Sequence, residues 1–161
     1  MMIRPEAPGD FPEIRSLHLA SFPDATEADL VERLRDEGDA VISLVAMDGG
    51  VVVGHVMFFR MTAHFKALGM APVAVLPDRR KQGVAATLIQ TGIAQAREDG
   101  WEGICVLGEP DYYTRFGFSA ELAEPFQSIY AGPYLMALSL QGKALPAESG
   151  QIDYAPAFDG L

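Results

Sequence analysis

The residues with the clearest chemical potential form the run Arg79-Arg80-Lys81-Gln82-Gly83-Val84-Ala85. Three cationic side chains precede a glycine and a small residue at what reads as the mouth of a helix. The first turn of a helix has N–H groups without internal partners, and the helix dipole adds partial positive charge, so an anion is stabilised there. Gly83 has no Cβ to hold a phosphate away from the backbone, Ala85 adds little bulk, and the basic side chains add Coulomb attraction. The run is a candidate diphosphate seat, with an ordinary strand-to-helix turn and a solvated basic face as the alternative. It carries neither a GxxxxGK(S/T) phosphate loop nor the GxGxxG dinucleotide fingerprint.

Other reactive groups are sparse. His18, His55 and His64 have the ordinary pKa to accept a proton near neutrality, but a packed or surface histidine needs no special geometry. Cys105, between Ile104 and Val106, reads as a buried structural thiol rather than a nucleophile. With three histidines, one cysteine and neither HExxH nor CxxC spacing, no metal set is visible.

The elements that must position these groups follow from periodicity and punctuation. Met70 to Leu76 read as a buried strand closed by Pro77-Asp78, and a helix follows from Val84 to Asp99, ended by Gly100. Ala85, Leu88, Ile89, Gly92, Ile93 and Ala96 form its sheet-facing stripe. Upstream, Met2 to Arg4 predict an edge strand. Asp10 and Glu13 suggest a capping box for a helix running to Ser21, and Thr26 with Asp29 suggest another cap for a helix ending near Gly38. Val41 to Ala46 and Val51 to Met61 predict two strands joined by Met47-Asp48-Gly49-Gly50, a hairpin composition. Downstream come a strand over Trp101 to Leu107, a short helix containing Tyr112 to Phe116 with Asp111 as its candidate cap, a strand over Pro133 to Leu140, and a final short strand near Gln151 to Tyr154. Ser119 to Ala131 give the weakest pattern. No linker separates a second domain.

The run Arg80-Lys81-Gln82-Gly83-Val84-Ala85 resembles the signature of the GCN5-related N-acetyltransferase (GNAT) superfamily: Arg or Gln, two residues, Gly, one residue, then Gly or Ala. Tyr113-Thr114-Arg115-Phe116-Gly117-Phe118 matches a second element of that family, in the right order. More narrowly, Val106 to Phe118 is similar to a branch of small bacterial acetyltransferases. The resemblance covers about residues 3 to 140, so residues 1–161 are expected to form one acetyltransferase domain with a C-terminal extension. The implied fold is a three-layer α-β-α arrangement of the α/β class, with a mixed, centrally splayed sheet.

The resemblance implies direct acetyl transfer from acetyl-coenzyme A (acetyl-CoA) to an amine, with no protein nucleophile and no metal. Such an enzyme must hold the neutral nitrogen against the thioester, accept its proton, stabilise the tetrahedral oxygen and protonate the departing thiolate. Backbone groups of Val73, Ala74 and Val75 are expected to bind the pantetheine arm, and Arg80, Lys81, Gln82, Gly83, Val84 and Ala85 the diphosphate. Pro72, lacking an N–H, fits an interrupted ladder. Tyr113 is the expected general acid, because a phenol stays protonated at neutral pH. Tyr112, about 100° around the helix, cannot make the same contact. The family often places a glutamate on a strand facing the acceptor, but Ile104 to Leu107 carry none. Glu109 acting through water, or a water chain to backbone carbonyls, is left for the base. Phe22, Pro23 and Asp24 are candidate acceptor contacts. The alternative to an enzyme is a non-catalytic acyl-CoA-binding or regulatory protein.

Composition agrees. The chain has 161 residues, 49% of them hydrophobic, enough for one core. A formal charge of −10 argues against a nucleic-acid partner. No secretory leader opens it and no run approaches 18 apolar residues, so a cytoplasmic protein without a membrane partner is expected. The expected acceptor is a small-molecule amine or a protein amino group, and the chain could pair as a homodimer.

Overall fold

The chain opens with the short extended segment Met2–Pro5 (β1), and two helices follow, Phe11–Ser21 (α1) and Thr26–Asp36 (α2). Strands Ala40–Asp48 (β2), Val51–Arg60 (β3) and Ala67–Val75 (β4) lead to the long helix Val84–Glu98 (α3). Then come Gly103–Leu107 (β5), the short helices Pro110–Tyr113 (α4) and Ala120–Ala123 (α5), and strands Phe126–Gln127 (β6), Leu135–Ser139 (β7) and Gly150–Gln151 (β8). The computed structural model describes residues 1–161. One sheet has the strand order β1-β2-β3-β4-β5-β7, and β6 and β8 form a second, two-stranded sheet. The larger sheet is mixed: β1, β2 and β3 pair antiparallel, β4 with β5 parallel, and β5 with β7 antiparallel. The fold is α/β, as expected. No helix is long and apolar enough to cross a membrane.

By contact the residues group into two compact units. The first comprises Met1–Phe59, Ala71–Gly92 and Pro156–Leu161. Its β2–β3 hairpin turns at Gly49 and Gly50, whose φ angles of 58° and 79° match the twist of the flanking strands. Helix α3 starts close to β3, because a Cβ on Gly54 would lie 2.8 Å from Val84 Cγ1 and 2.9 Å from Leu88 Cδ1. The predicted stripe of α3 is buried at Leu88, Ile89, Gly92, Ile93 and Ala96, with Ala85 half-buried.

The helix caps differ from expectation. Asp10 does not cap α1: its carboxylate accepts from Arg4 at 2.7 and 2.9 Å and from the Ala7 N–H at 2.8 Å, while Glu13 Oε2 accepts from the Val52 N–H. A nearby guanidinium and an unpaired strand amide outcompete the helix amides for these oxygens. Thr26 is the first residue of α2, and its N–H donates to Asp24 Oδ1 at 2.9 Å.

The second unit comprises Arg60–Met70 and Ile93–Ala155. Ala67, Leu68 and Gly69 of β4 stand opposite Gly103, Ile104 and Cys105, and β5 from Gly103 to Leu107 pairs with Ser139 to Leu135. The weakly patterned stretch resolves into α5, capped by Ser119 accepting from the Leu122 N–H, and β6. The last strand falls at Gly150–Gln151, parallel to β6, slightly before the expected position. Cys105 is buried, and burial pushes its thiol up to about 12.

Candidate active site

Every residue of the proposed diphosphate seat lies in the first unit. After a one-turn helix at Pro77–Arg79, the chain runs through Arg80, Lys81 at φ 64° and Gly83 at φ 81° before entering α3. A left-handed conformation is costly for lysine and easy for glycine, so this short stretch is held in an unusual shape. A Cβ built on Gly83 would meet nothing within 4 Å, so the space in front of it is open. The first backbone bond of the helix is from the Thr87 N–H to the Gly83 carbonyl at 3.0 Å, and the amides of Val84, Ala85 and Ala86 precede it. Those amides carry the helix's positive end.

The three cations are not equivalent. Arg79 is ion-paired with Asp48 and is therefore partly neutralised, contrary to a uniform basic run. Arg80 and Lys81 are exposed, and Arg80 makes only a long 3.4 Å bond to the Ser21 carbonyl. Gln82 is exposed as well, whereas Val84 is packed under the turn. Two exposed cations, a glycine with open space and a helix start can accept a diphosphate. Val73, Ala74 and Val75 form the end of β4 just before this loop, and the Val75 carbonyl accepts from Ser21 Oγ at 3.3 Å.

Tyr113 and Glu109 lie in the second unit. Glu109 is the N-cap residue of α4, and its carbonyl accepts from the N–H groups of Tyr112 and Tyr113 at 3.0 and 3.1 Å. That geometry moves Asp111 inside the helix, so it is not the cap. The Tyr113 ring is half-buried, edge-on to Tyr112 at 5.0 Å and to Phe118 at 6.1 Å. It also lies against Gly108, where a Cβ would come within 2.3 Å of Tyr113 Cε2. Burial, and secondarily Tyr112, raises the Tyr113 hydroxyl above the usual phenol range, so it remains a proton donor at neutral pH. Tyr112 is engaged differently: Arg115 stacks over its ring at 4.5 Å and donates to its carbonyl at 2.9 Å. Glu109 is exposed, and Phe22 lies stacked 5.9 Å from His18.

Motif spacing did not reveal a polar chain in the first unit. His18 and His55 are fully buried, with His18 Nε2 2.8 Å from His55 Nδ1 and His55 Nε2 2.7 Å from Ser43 Oγ. Ser43 Oγ donates to Glu6 Oε1, and Arg35 donates to both Glu6 oxygens at 2.8 and 2.9 Å. Burial alone would raise Glu6, but the bonds from His55, Arg35 and Ser43 outweigh it and hold the carboxyl at about 2. Burial, then the neighbouring His55 and Arg35, lowers His18 to about 3. His18 and His55 are 37 positions apart and His55 and Ser43 are 12 apart: the pairing of β2 with β3 brings Ser43 beside His55, and His18 comes to them from α1. His64 is exposed and packs beside Gly150 instead.

Comparison with known proteins gives the family. The family model described as an acetyltransferase (GNAT) domain matches residues 2–120. The uncharacterized N-acetyltransferase YhbS of Escherichia coli strain K12 is 34% identical over 165 residues, covering 99% of both chains. A crystal structure of the E. coli GNAT family N-acetyltransferase YhbS in complex with CoA superposes with a TM-score of 0.92, at 34% identity, covering 98% of this chain and 91% of that one. A GNAT family acetyltransferase from Brucella melitensis in complex with acetyl-CoA gives a TM-score of 0.83 at 34% identity, covering 98% and 97%.

Proposed function

Because the chain belongs to the GNAT acetyltransferase family, we propose that it transfers an acetyl group from acetyl-CoA directly to an amine, with the diphosphate held at the start of α3 and Tyr113 as general acid. Acetyl-CoA supplies the acetyl group as a thioester. The new C–N bond forms as the C–S bond breaks, one proton leaves nitrogen and one is returned to sulfur. Arg80 and Lys81 bind the diphosphate by charge, and the amides of Gly83 to Ala85 bind it by the helix start. The Tyr113 hydroxyl donates to the departing sulfur, and its raised pKa keeps the donor protonated until charge develops there. Glu109, exposed at the start of α4, takes the amine's proton through water. Cys105, raised to about 12, takes no part as a nucleophile. The acceptor is an amine of a small molecule or a protein.

The observation that carries this reading is the loop from Arg80 to Gly83, which keeps two exposed cations and open space in front of a helix start in a chain of net charge −10. Replacing Arg80 and Lys81 together by alanine should weaken acetyl-CoA by at least ten-fold, since a charge-assisted bond contributes about 1.5–3 kcal/mol. Acetyl-pantetheine, which lacks the diphosphate, should be unaffected. Calorimetric titration of both ligands is the test, and equal losses would overturn the phosphate assignment. A screen of primary amines with wild-type protein and acetyl-CoA tests the reaction itself.

A further inference from the structure

The second unit holds a cavity of about 390 Å³ beside α5. Its floor is apolar and buried, with Ala123, Phe126 and Leu135 at 3%, 6% and 2% exposure. Its rim carries Glu121 on α5 and Glu124 just after it, and its lip is the turn Ala131-Gly132-Pro133. Both glutamates are exposed. Lys143 shares a neighbouring groove with Glu121, yet no cationic side chain pairs with either carboxylate. Ile129 and Tyr134, which flank the lip in sequence, are 83% and 54% exposed. Mostly apolar walls with a few polar groups at the mouth are the composition of a small-molecule site, and the volume lies at the lower end of the usual range of about 300–1,000 Å³.

Charge decides what fills it. A second copy of the chain would bring two further carboxylates against these two, at a net charge of −10 on each copy, and an anion is opposed in the same way. A small organic cation matches both surfaces, because its carbon chain covers the floor while its charge meets the rim. The cavity is also tied to the candidate site. Leu135 of its floor pairs with Leu107 at the end of β5, the Tyr134 carbonyl accepts from the Gly108 N–H at 3.1 Å, and the Tyr113 ring packs against Gly108. The floor of the cavity and the seat of Tyr113 therefore share one strand end within the same unit. We propose that this cavity holds the non-reacting end of the acceptor, a small amine whose apolar spacer carries a second, cationic group, and that Glu121 and Glu124 determine that specificity. This rests on the N-acetyltransferase reading. The two ends of such an acceptor have different tasks: the attacking nitrogen reacts as the neutral amine, while the second keeps its proton and is anchored by charge.

The test uses the full-length chain with three six-carbon probes: 1,6-diaminohexane, hexylamine, which lacks the second amine, and 6-aminohexanoate, which carries a carboxylate in its place. Acetyl transfer from acetyl-CoA is measured for each, and ¹³C-methyl alanine spectra of the CoA complex follow Ala120, Ala123 and Ala131 in the cavity wall. 1,6-Diaminohexane should exceed hexylamine in kcat/KM by about five-fold or more, the effect of two solvent-exposed carboxylates, and 6-aminohexanoate should be the poorest of the three. It should also move the three methyl signals at concentrations where 6-aminohexanoate does not. Glu121→Gln combined with Glu124→Gln keeps the shape of the rim and should bring 1,6-diaminohexane down to the level of hexylamine. Equal turnover of those two amines by the unaltered chain overturns the proposal, as do methyl signals that stay still with 1,6-diaminohexane, or a loss in the double variant that hexylamine shares in proportion. Methyl signals that move with protein concentration instead would show that a second copy fills the cavity, and the proposal fails. Methyl shifts with 1,6-diaminohexane but no acetylation of any amine would overturn the transferase reading and leave the cation site standing.

Discussion

At the scale of single residues, Tyr113 and Gly83 make opposite predictions. Tyr113→Phe keeps the edge-on packing on Tyr112 and Phe118 and removes only the hydroxyl. Single-turnover transfer should fall by about 10²-fold, the lower end for general acid catalysis, because the raised phenol is a weak acid and water competes for the thiolate. Acetyl-CoA affinity should not change. Tyr112→Phe, whose ring is stacked under Arg115, should transfer normally, and the reverse pattern would exchange their roles. Gly83→Val should instead abolish measurable CoA binding while far-ultraviolet circular dichroism stays native. Its φ of 81° is strained for a β-branched residue, and the new methyls enter the open space in front of the amides. The elements that carry both residues, the helix start after Gly83 and the short helix with Tyr113, were legible in the sequence, since a motif of six residues carries its own local geometry. The ion pair of Arg79 with Asp48 was not, because it joins a loop to a hairpin 31 positions away.

At the scale of elements, two glycines set distances that no motif announces. Gly54→Ala would press its methyl against Val84 and Leu88, lifting the start of α3 from β3. Overpacking of this kind costs about 1–3 kcal/mol, so thermal unfolding should shift down by several degrees and CoA affinity should drop with it. Gly108→Ala would drive the Tyr113 ring from its place and should slow single-turnover transfer more than it lowers stability. Normal transfer in that variant would show that the ring's position is not critical. Strands and helices were predicted within a few residues because their periodicity is strong. The capping box at Asp10 fails because Arg4 and, 39 positions away, the Val52 N–H claim the carboxylates of Asp10 and Glu13, whereas at Thr26 the pattern is out of place by two residues, since the Thr26 N–H donates to Asp24. The weak pattern from Ser119 to Ala131 reflects two elements too short, at four and two residues, to show a period.

At the scale of the whole molecule, the buried polar chain dictates acid sensitivity. Glu6, at about 2 when folded against 4.5 ordinarily, contributes stability that is present above pH 4.5 and lost as pH falls toward 2. His18, at about 3 against 6.5, acts in the same direction: the unfolded chain binds its proton first, so stability falls as pH drops below 6.5. The melting temperature should decline steadily from pH 7 to pH 4, and less steeply in His18→Phe; a flat profile would mean that the histidines are not buried in solution. We also expect residues 1–161 to unfold in one transition by circular dichroism and tryptophan fluorescence, since β4 and α3 each contribute residues to both compact units. Beyond residue 140, where the sequence reads as an extension, Phe158 packs on Phe59 at 4.6 Å and Gly150–Gln151 pair with β6. A local pattern suggests the strand but not its partner, which is fixed by contacts distant in sequence. The buried state of Cys105 has a practical side: the reaction releases one free thiol per turnover, while the protein's single thiol is hidden within β5. A colorimetric thiol reagent added during turnover should therefore count released CoA against an almost silent background, and a slow rise without amine would be a clock for the opening of β5.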